Sequence, residues 1–181
     1  QGDTIAQLNL SLIYKFGKGV TKDYGQVFYW NNKAAEQGSA VAQFNLGEMY
    51  EFGKGVEEDY AQATEWYKKA AKQGHSDAQT SLGALYENGK GVEVDYTEAV
   101  YWHKKAADQG DTKAQLSLGD LYKNGKGIAE DYRQAFYWYK KVAEQGAAGA
   151  QLNIADMYEY GKGVTQDYEQ AVLWYKKAAE Q

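Results

Sequence analysis

Five copies of Gly-Lys-Gly, five of Asp-Tyr and five Trp invite a chemical reading of this chain. Gly-Lys-Gly begins at Gly17, Gly53, Gly89, Gly125 and Gly161 and suggests a phosphate loop. Such a loop needs Gly-x-x-x-x-Gly-Lys-Ser/Thr after a strand. Here Gly follows the Lys and a helical pattern precedes it, so the motif reads as a turn. The carboxylates Asp23, Asp59, Asp95, Asp131 and Asp167 lie a whole repeat apart and form no acid–base pair. Each stands just before a helical pattern, where Asp caps free amides. Trp30, Trp66, Trp102, Trp138 and Trp174 share helical phase with Ala and Tyr, so they read as core rather than as a stacking platform. His75 and His103 read as two ordinary, partly exposed residues. Without Cys there is no thiol nucleophile, disulfide or thiolate metal site. An active site has to gather nucleophile, base and orienting group in one place, breaking repeat symmetry. No such cluster stands out, so no catalytic residue, metal or cofactor is expected, and the chain is not read as an enzyme.

These motifs all recur every 36 residues, dividing the chain into repeats 1–36, 37–72, 73–108, 109–144 and 145–180. In the second, Ala42, Leu46, Met49 and Tyr50 mark one face of a helix. Gly53 follows as a left-handed cap, and the Gly53–Val56 loop reverses the chain. Asp59 starts a second helix, with Gln62 completing a capping-box pattern. Tyr60, Ala63, Tyr67, Ala70 and Ala71 mark its apolar face, and Gln73-Gly74 ends it. Small residues, including Ala42, Gly47 and Ala71, sit where helices approach closely. One helical pair cannot bury both its faces, whereas stacked pairs build a continuous core. Ten helices and no sheet are expected.

The net charge of −5 argues against nucleic-acid phosphates as a partner. No apolar run is long enough to span a bilayer. Proline is absent, so the turns depend on Gly. The chain opens on Gln1 and shows no signal-peptide pattern, so it reads as a piece of something longer. No polar cap precedes Ile5, Leu8, Leu10 and Leu12 or follows Leu173 and Trp174, which predicts a longer parent or end-to-end self-association.

The strings Ala42-Gln43-x-x-Leu46-Gly47-x-x-Tyr50, Gly53-Lys54-Gly55-Val56-x-x-Asp59-Tyr60 and Ala63-x-x-Trp66-Tyr67-x-Lys69-Ala70-Ala71-x-Gln73-Gly74 resemble the Sel1-like repeat (SLR) family, in its bacterial form. The resemblance covers all five units. It implies an all-α, right-handed α/α superhelical solenoid related to tetratricopeptide repeats, here one domain over 1–181. It also implies a scaffold or adaptor that binds other proteins in a concave groove, often at the bacterial envelope or host interface, which favours a periplasmic or secreted location. Two further readings remain: recognition of an envelope glycan or polymer by aromatic side chains, and hydrolysis of β-lactams or envelope fragments. The second would want Ser-x-x-Lys or Lys-Thr-Gly, and neither string occurs. The first unit departs from the others at Gly25, Val27, Asn31 and Asn32, marking an edge unit or one packed against a further neighbour.

Recurring columns specify packing, and varying columns are free to specify a partner. The varying columns of the first helices form one stripe. It holds Ile5, Leu8, Leu12 and Phe16, then Val41, Phe44, Glu48, Glu51 and Phe52, then Asp77, Thr80, Glu87 and Asn88. Further along lie Lys113, Leu116, Asp120, Lys123 and Asn124, then Asp156, Glu159 and Tyr160. Asn45 lies beside it, in a column of Asn and Ser whose amides suit an extended peptide backbone. Lys15, Lys113 and Lys123 against Glu48, Glu51, Asp77, Glu87, Asp120, Asp156 and Glu159 leave the stripe at −4. The expected partner is therefore a protein or peptide, partly basic, with an apolar anchor near Phe16, Phe44 and Phe52.

Overall fold

A computed structural model describes residues 2–180; Gln1 and Gln181, which open and close the Gln-Gly column, lie outside the described residues. The chain divides into two compact units that meet in sequence at Asp95 and Tyr96. The first holds α1 (Thr4–Phe16), α2 (Tyr24–Glu36), α3 (Ala40–Glu51), α4 (Tyr60–Lys72) and α5 (Ser76–Asn88). The second holds α6 (Tyr96–Asp108), α7 (Thr112–Asn124), α8 (Tyr132–Glu144), α9 (Ala148–Tyr160) and α10 (Tyr168–Ala179). The described residues contain no strand, and inside each unit every helix packs on the next. No helix is long and apolar enough to cross a membrane.

The helix starts follow capping chemistry. Asp59 Oδ1 accepts from the amides of Ala61 and Gln62, both at 2.9 Å, and Asp23, Asp131 and Asp167 do the same work for α2, α8 and α10. The capping box is only half made. The Asp59 amide donates to the Tyr50 carbonyl at 2.9 Å instead of meeting Gln62. The amides of Asp23, Asp95, Asp131 and Asp167 likewise reach Tyr14, Tyr86, Tyr122 and Tyr158. Asp23, Asp59, Asp131 and Asp167 therefore each join both helices of their repeat.

First helices begin differently. Asp3, Ser39 and Asp111 accept from the third amide on, and His75 does so through Nδ1 at 3.3 Å. Ala147, at the same position before α9, has no side-chain cap. Ala147→Ser is expected to stabilise the fifth repeat by about 0.5–1 kcal/mol, read as a raised thermal midpoint with unchanged helicity. An unchanged or lowered midpoint contradicts it.

The cores are built from Ala where helices touch and from larger side chains between. Ala34, Ala35, Ala42 and Leu46 form one cluster, with Leu8, Phe28 and Trp66 packed against it. Ala106, Ala107, Ala114, Leu118, Leu121 and Trp138 form another, and Tyr139, Ile154, Met157 and Trp174 belong to a third. Trp102, Trp138 and Trp174 are buried, as their helical phase implies, while Trp30 and Trp66 are half-buried. Gly47 lies directly under the Tyr67 ring and Gly119 under that of Tyr139, so no larger residue fits without moving the ring. His103 departs from the sequence reading: it is 1% exposed, because it occupies the fully buried column of Tyr67 and Tyr139.

A Gln column threads these clusters. Gln43 Nε2 donates to the Ala35 carbonyl, one of the groups a helix end leaves without an intrahelical donor. Gln79, Gln115 and Gln151 reach Ala71, Ala107 and Ala143 in the same way. Gln73 Nε2 then donates to Gln43 Oε1 at 2.8 Å, and Gln37 to Gln7 at 2.9 Å. These side-chain amides link consecutive repeats by direction-specific bonds.

The second to fifth Gly-Lys-Gly loops sit on the preceding repeat. Gly91, with φ +70°, lies against the Tyr60 carbonyl at the start of α4, and Lys90 Nζ is 5.0 Å from the Tyr60 ring centre. Gly55 on Tyr24, Gly127 on Tyr96 and Gly163 on Tyr132 repeat the arrangement.

Candidate functional site

With Asp columns used as caps, Gly-Lys-Gly as seated turns and Trp as core, the candidate surface is the first-helix stripe. Ile5 is 70% exposed, Phe16 55%, Phe52 54% and Tyr160 63%, too much apolar surface to be packing residues. Leu12, Val41 and Leu152 are also exposed, as are Asp77, Asn88, Lys113, Asp120, Asn124 and Asp156. Other stripe positions turn inward. Leu8 packs on the Ala34 cluster and Leu116 on the Tyr139 cluster. Phe44 is half-buried, its ring stacked on His75 at 4.7 Å and near Tyr67 at 5.7 Å. Thr80, Asn45, Glu48 and Glu51 are half-buried.

Several stripe acids have partners inside their own unit. The Tyr67 hydroxyl donates to Glu51 at 2.5 Å and that of Tyr139 to Asp120 at 2.5 Å. The Tyr175 hydroxyl lies 2.5 Å from Glu159 and 2.7 Å from Asp156. Burial, then the hydrogen bond to Glu51, pushes the Tyr67 phenol well above its ordinary range; burial and Asp120 do the same for Tyr139. The carboxylates of Glu159 and Asp156 hold Tyr175 up, and the charge of Glu159 raises Tyr160.

A pH dependence follows. Tyrosines in the unfolded chain lose protons near pH ~10, while Tyr67 and Tyr139 keep theirs in the fold. Their stabilising contribution is complete below that pH and declines as pH rises past it, because the unfolded state then binds fewer protons. Urea unfolding midpoints measured from neutral pH upward should fall above pH ~10, and Tyr67→Phe/Tyr139→Phe should flatten that fall. Equal slopes for the double variant and the parent would exclude these two phenols as the cause.

The second-helix faces present Tyr29, Tyr101 and Tyr137, each about half exposed and edge-on to the following Trp at 4.9 Å. Lys33, Lys105 and Lys141 lie over these rings at 5.8, 5.1 and 4.6 Å from their centres. An ammonium group over each ring competes with sugar stacking there.

A cavity of about 100 Å³ opens between α1, α2 and α3, lined by Ser11, Lys15, Asn31, Asn45, Glu48 and Lys54, among others. The stripe supplies Lys15 and Glu48, with Asn45 beside it, but not Asn31, Ser11 or Lys54. A signal for the first two was legible: Asn31 and Ser11 both depart from Tyr and Gly at facing columns of the same repeat.

The Sel1 repeat pattern matches residues 4–39, 40–75, 76–111, 112–146 and 148–181. Its frame begins at the first helix, three residues after the frame set by Gln-Gly. A protective antigen of uropathogenic Escherichia coli displaying an SLR fold is 43% identical with TM-score 0.95, over 98% of this chain and 38% of that one. A Sel1 repeat protein from Oxalobacter formigenes is 39% identical with TM-score 0.93, over 98% of this chain and 73% of that one. Helicobacter pylori cysteine-rich protein B is 26% identical with TM-score 0.53, over 68% and 94% respectively. This chain thus spans under two-fifths of the E. coli antigen's length. No curated protein sequence matches it.

Proposed function

The chain belongs to the Sel1 repeat family, and from that premise we propose that it is a protein-interaction scaffold without catalytic chemistry, holding a partner segment on its first-helix stripe. One observation carries the reading. The recurring polar groups are consumed by caps, loops and the Gln column, while the varying first-helix positions leave Ile5, Leu12, Phe16, Val41 and Phe52 exposed beside charged residues. Exposed apolar anchors rimmed by charge are the usual composition of a protein-binding surface. The partner segment is partly basic, facing Glu48, Glu51 and Asp77, and places an apolar side chain near Phe16 and Phe52. Like the protein-binding members of its family, it acts through surface complementarity.

The test is photo-crosslinking in the full-length protein in its own host. A crosslinking side chain at Val41 or Phe52 should give one discrete protein adduct, and the same group at Tyr29 on α2 should give none. Adducts at Tyr29 with silence at Val41 and Phe52 would move the binding surface to the second helices.

A further inference from the structure

Each seated loop meets the first turn of a second helix, and one of these four junctions breaks the repeat pattern on both sides. Gly163 lies against the Tyr132 carbonyl and the Arg133 amide at the start of α8, too close for any Cβ. Arg133 is the only Arg in the chain, and its column elsewhere holds Gly25, Ala61, Thr97 and Glu169. The loop facing it carries Thr165 and Gln166, where the equivalent loops carry Glu57 and Glu58, Glu93 and Val94, and Ala129 and Glu130. The junction that gains a guanidinium is therefore the one whose loop lacks a glutamate. A cavity of about 450 Å³ opens there, lined by Arg133, Gly161, Gly163, Val164 and Thr165, with no acid on its wall.

The wall is rich in hydrogen-bond donors. The Arg133 guanidinium is a planar fork of N–H groups, and among the described residues it pairs with no carboxylate. Asp131, two residues earlier, spends Oδ1 on the amides of Arg133 and Gln134 at 2.9 and 3.0 Å. Asp167, two residues after Thr165, accepts from the Gln170 amide at 3.0 Å. Thr165 has a hydroxyl proton to give, and among the described residues the amides of Gly163, Val164 and Thr165 donate to no carbonyl. Lys162 adds positive charge beside the helix start, with Nζ 5.3 Å from the Tyr132 ring centre. The Gly-Lys-Gly turn itself is not the cradle, because the amides of Gly161 and Lys162 both return to the Met157 carbonyl. A positive site thus stands out locally in a chain of net charge −5.

We propose that this junction binds a phosphate monoester group. Such a group carries nearly two negative charges and three acceptor oxygens. Arg133 takes two of the oxygens bidentately, the Thr165 hydroxyl donates to the third, and Lys162 balances the second charge. A phosphate diester or a carboxylate has one charge and two free oxygens, so it leaves a donor of this set unused. The group is carried by a phosphorylated side chain of a partner protein or by a small phosphate ester, and both present the same phosphoryl oxygens. The site lies at the start of a second helix, apart from the first-helix stripe, and stands independently of the scaffold reading.

The test titrates the 181-residue chain with N-acetylphosphoserine N-methylamide and with glycerol 3-phosphate, followed by the amide resonances of Gly163 and Thr165. Saturable shifts at these residues are expected, and the tighter of the two ligands identifies the carrier as protein or small ester. Dimethyl phosphate and acetate should each bind at least about tenfold more weakly. Arg133→Gln should lose binding by a similar factor, whereas Lys105→Ala on α6 should not. Thr165→Glu restores the acid of the second and third loops and should abolish the shifts. Both positions are exposed, so these variants keep the parent's helicity. Equal binding of dimethyl phosphate or acetate overturns the proposal, as does an Arg133→Gln variant that binds like the parent. Silence from both monoesters overturns it too, and capture of the chain by phosphatidylglycerol vesicles in that case would make the junction a membrane contact instead.

Discussion

Gly91→Ala should be among the most damaging single-methyl additions in the first unit. Two costs add there. The positive φ is unfavourable for any residue with a Cβ, by roughly 1–2 kcal/mol. The added Cβ would also press into the Tyr60 carbonyl and the Ala61 amide, which are backbone atoms held by α4 and cannot swing away. Overpacking of that kind costs a further ~1–3 kcal/mol. Gly74→Ala is the control, with φ +91° and nothing within 4 Å of the added methyl. Urea unfolding should place Gly91→Ala below Gly74→Ala by ~1–3 kcal/mol. Equal losses would mean that the loop contributes only its turn and does not bear on the preceding repeat.

Removing both exposed Phe rings should give the largest loss of partner binding. Phe16 closes α1 and Phe52 caps α3, each more than half exposed in the same column. Few core contacts are lost on truncating them, so circular dichroism of Phe16→Ala/Phe52→Ala should match the parent. Binding of the crosslinked partner should weaken by about 1–3 kcal/mol, mostly through faster dissociation, because central aromatic anchors carry most interface energy. Glu48→Lys should instead slow association and flatten its salt dependence, as charge steers encounter. If the double Phe variant binds as tightly as the parent, the stripe is not the interface.

Much of the fold was legible because a 36-residue period repeats every signal five times. Gly after an apolar helical run and Asp before the next located the helix ends without any long-range information. What the period could not supply was the identity of partners far apart in sequence. Tyr67 finds its acid 16 residues back, while Tyr139 finds one 19 residues back, because Lys123 occupies the nearer column. Neither interval is a helical or strand spacing, so Glu51, Asp120 and Asp156 read as solvated stripe charges when they also receive phenols. His75 and His103 illustrate the same limit. One caps α5 and stacks on Phe44, and the other is buried, roles set by neighbours rather than by local pattern. The cavity at Asn31 was visible as two coupled departures at Ser11 and Asn31, yet its walls come from three helices and only coordinates join them.

The seating of the second to fifth Gly-Lys-Gly loops on the helix start of the repeat before gives the array a direction. During synthesis an emerging loop meets a platform the ribosome has already released, so Gly55 can settle on Tyr24 and Gly91 on Tyr60 without waiting for downstream sequence. Shortening from the two sides is therefore unequal. Deleting repeats from the carboxyl side leaves every seated loop its seat, whereas deleting them from the amino side takes the seat from the first loop that remains. A nested set of truncations released from translation should show protease resistance arriving repeat by repeat from the amino end.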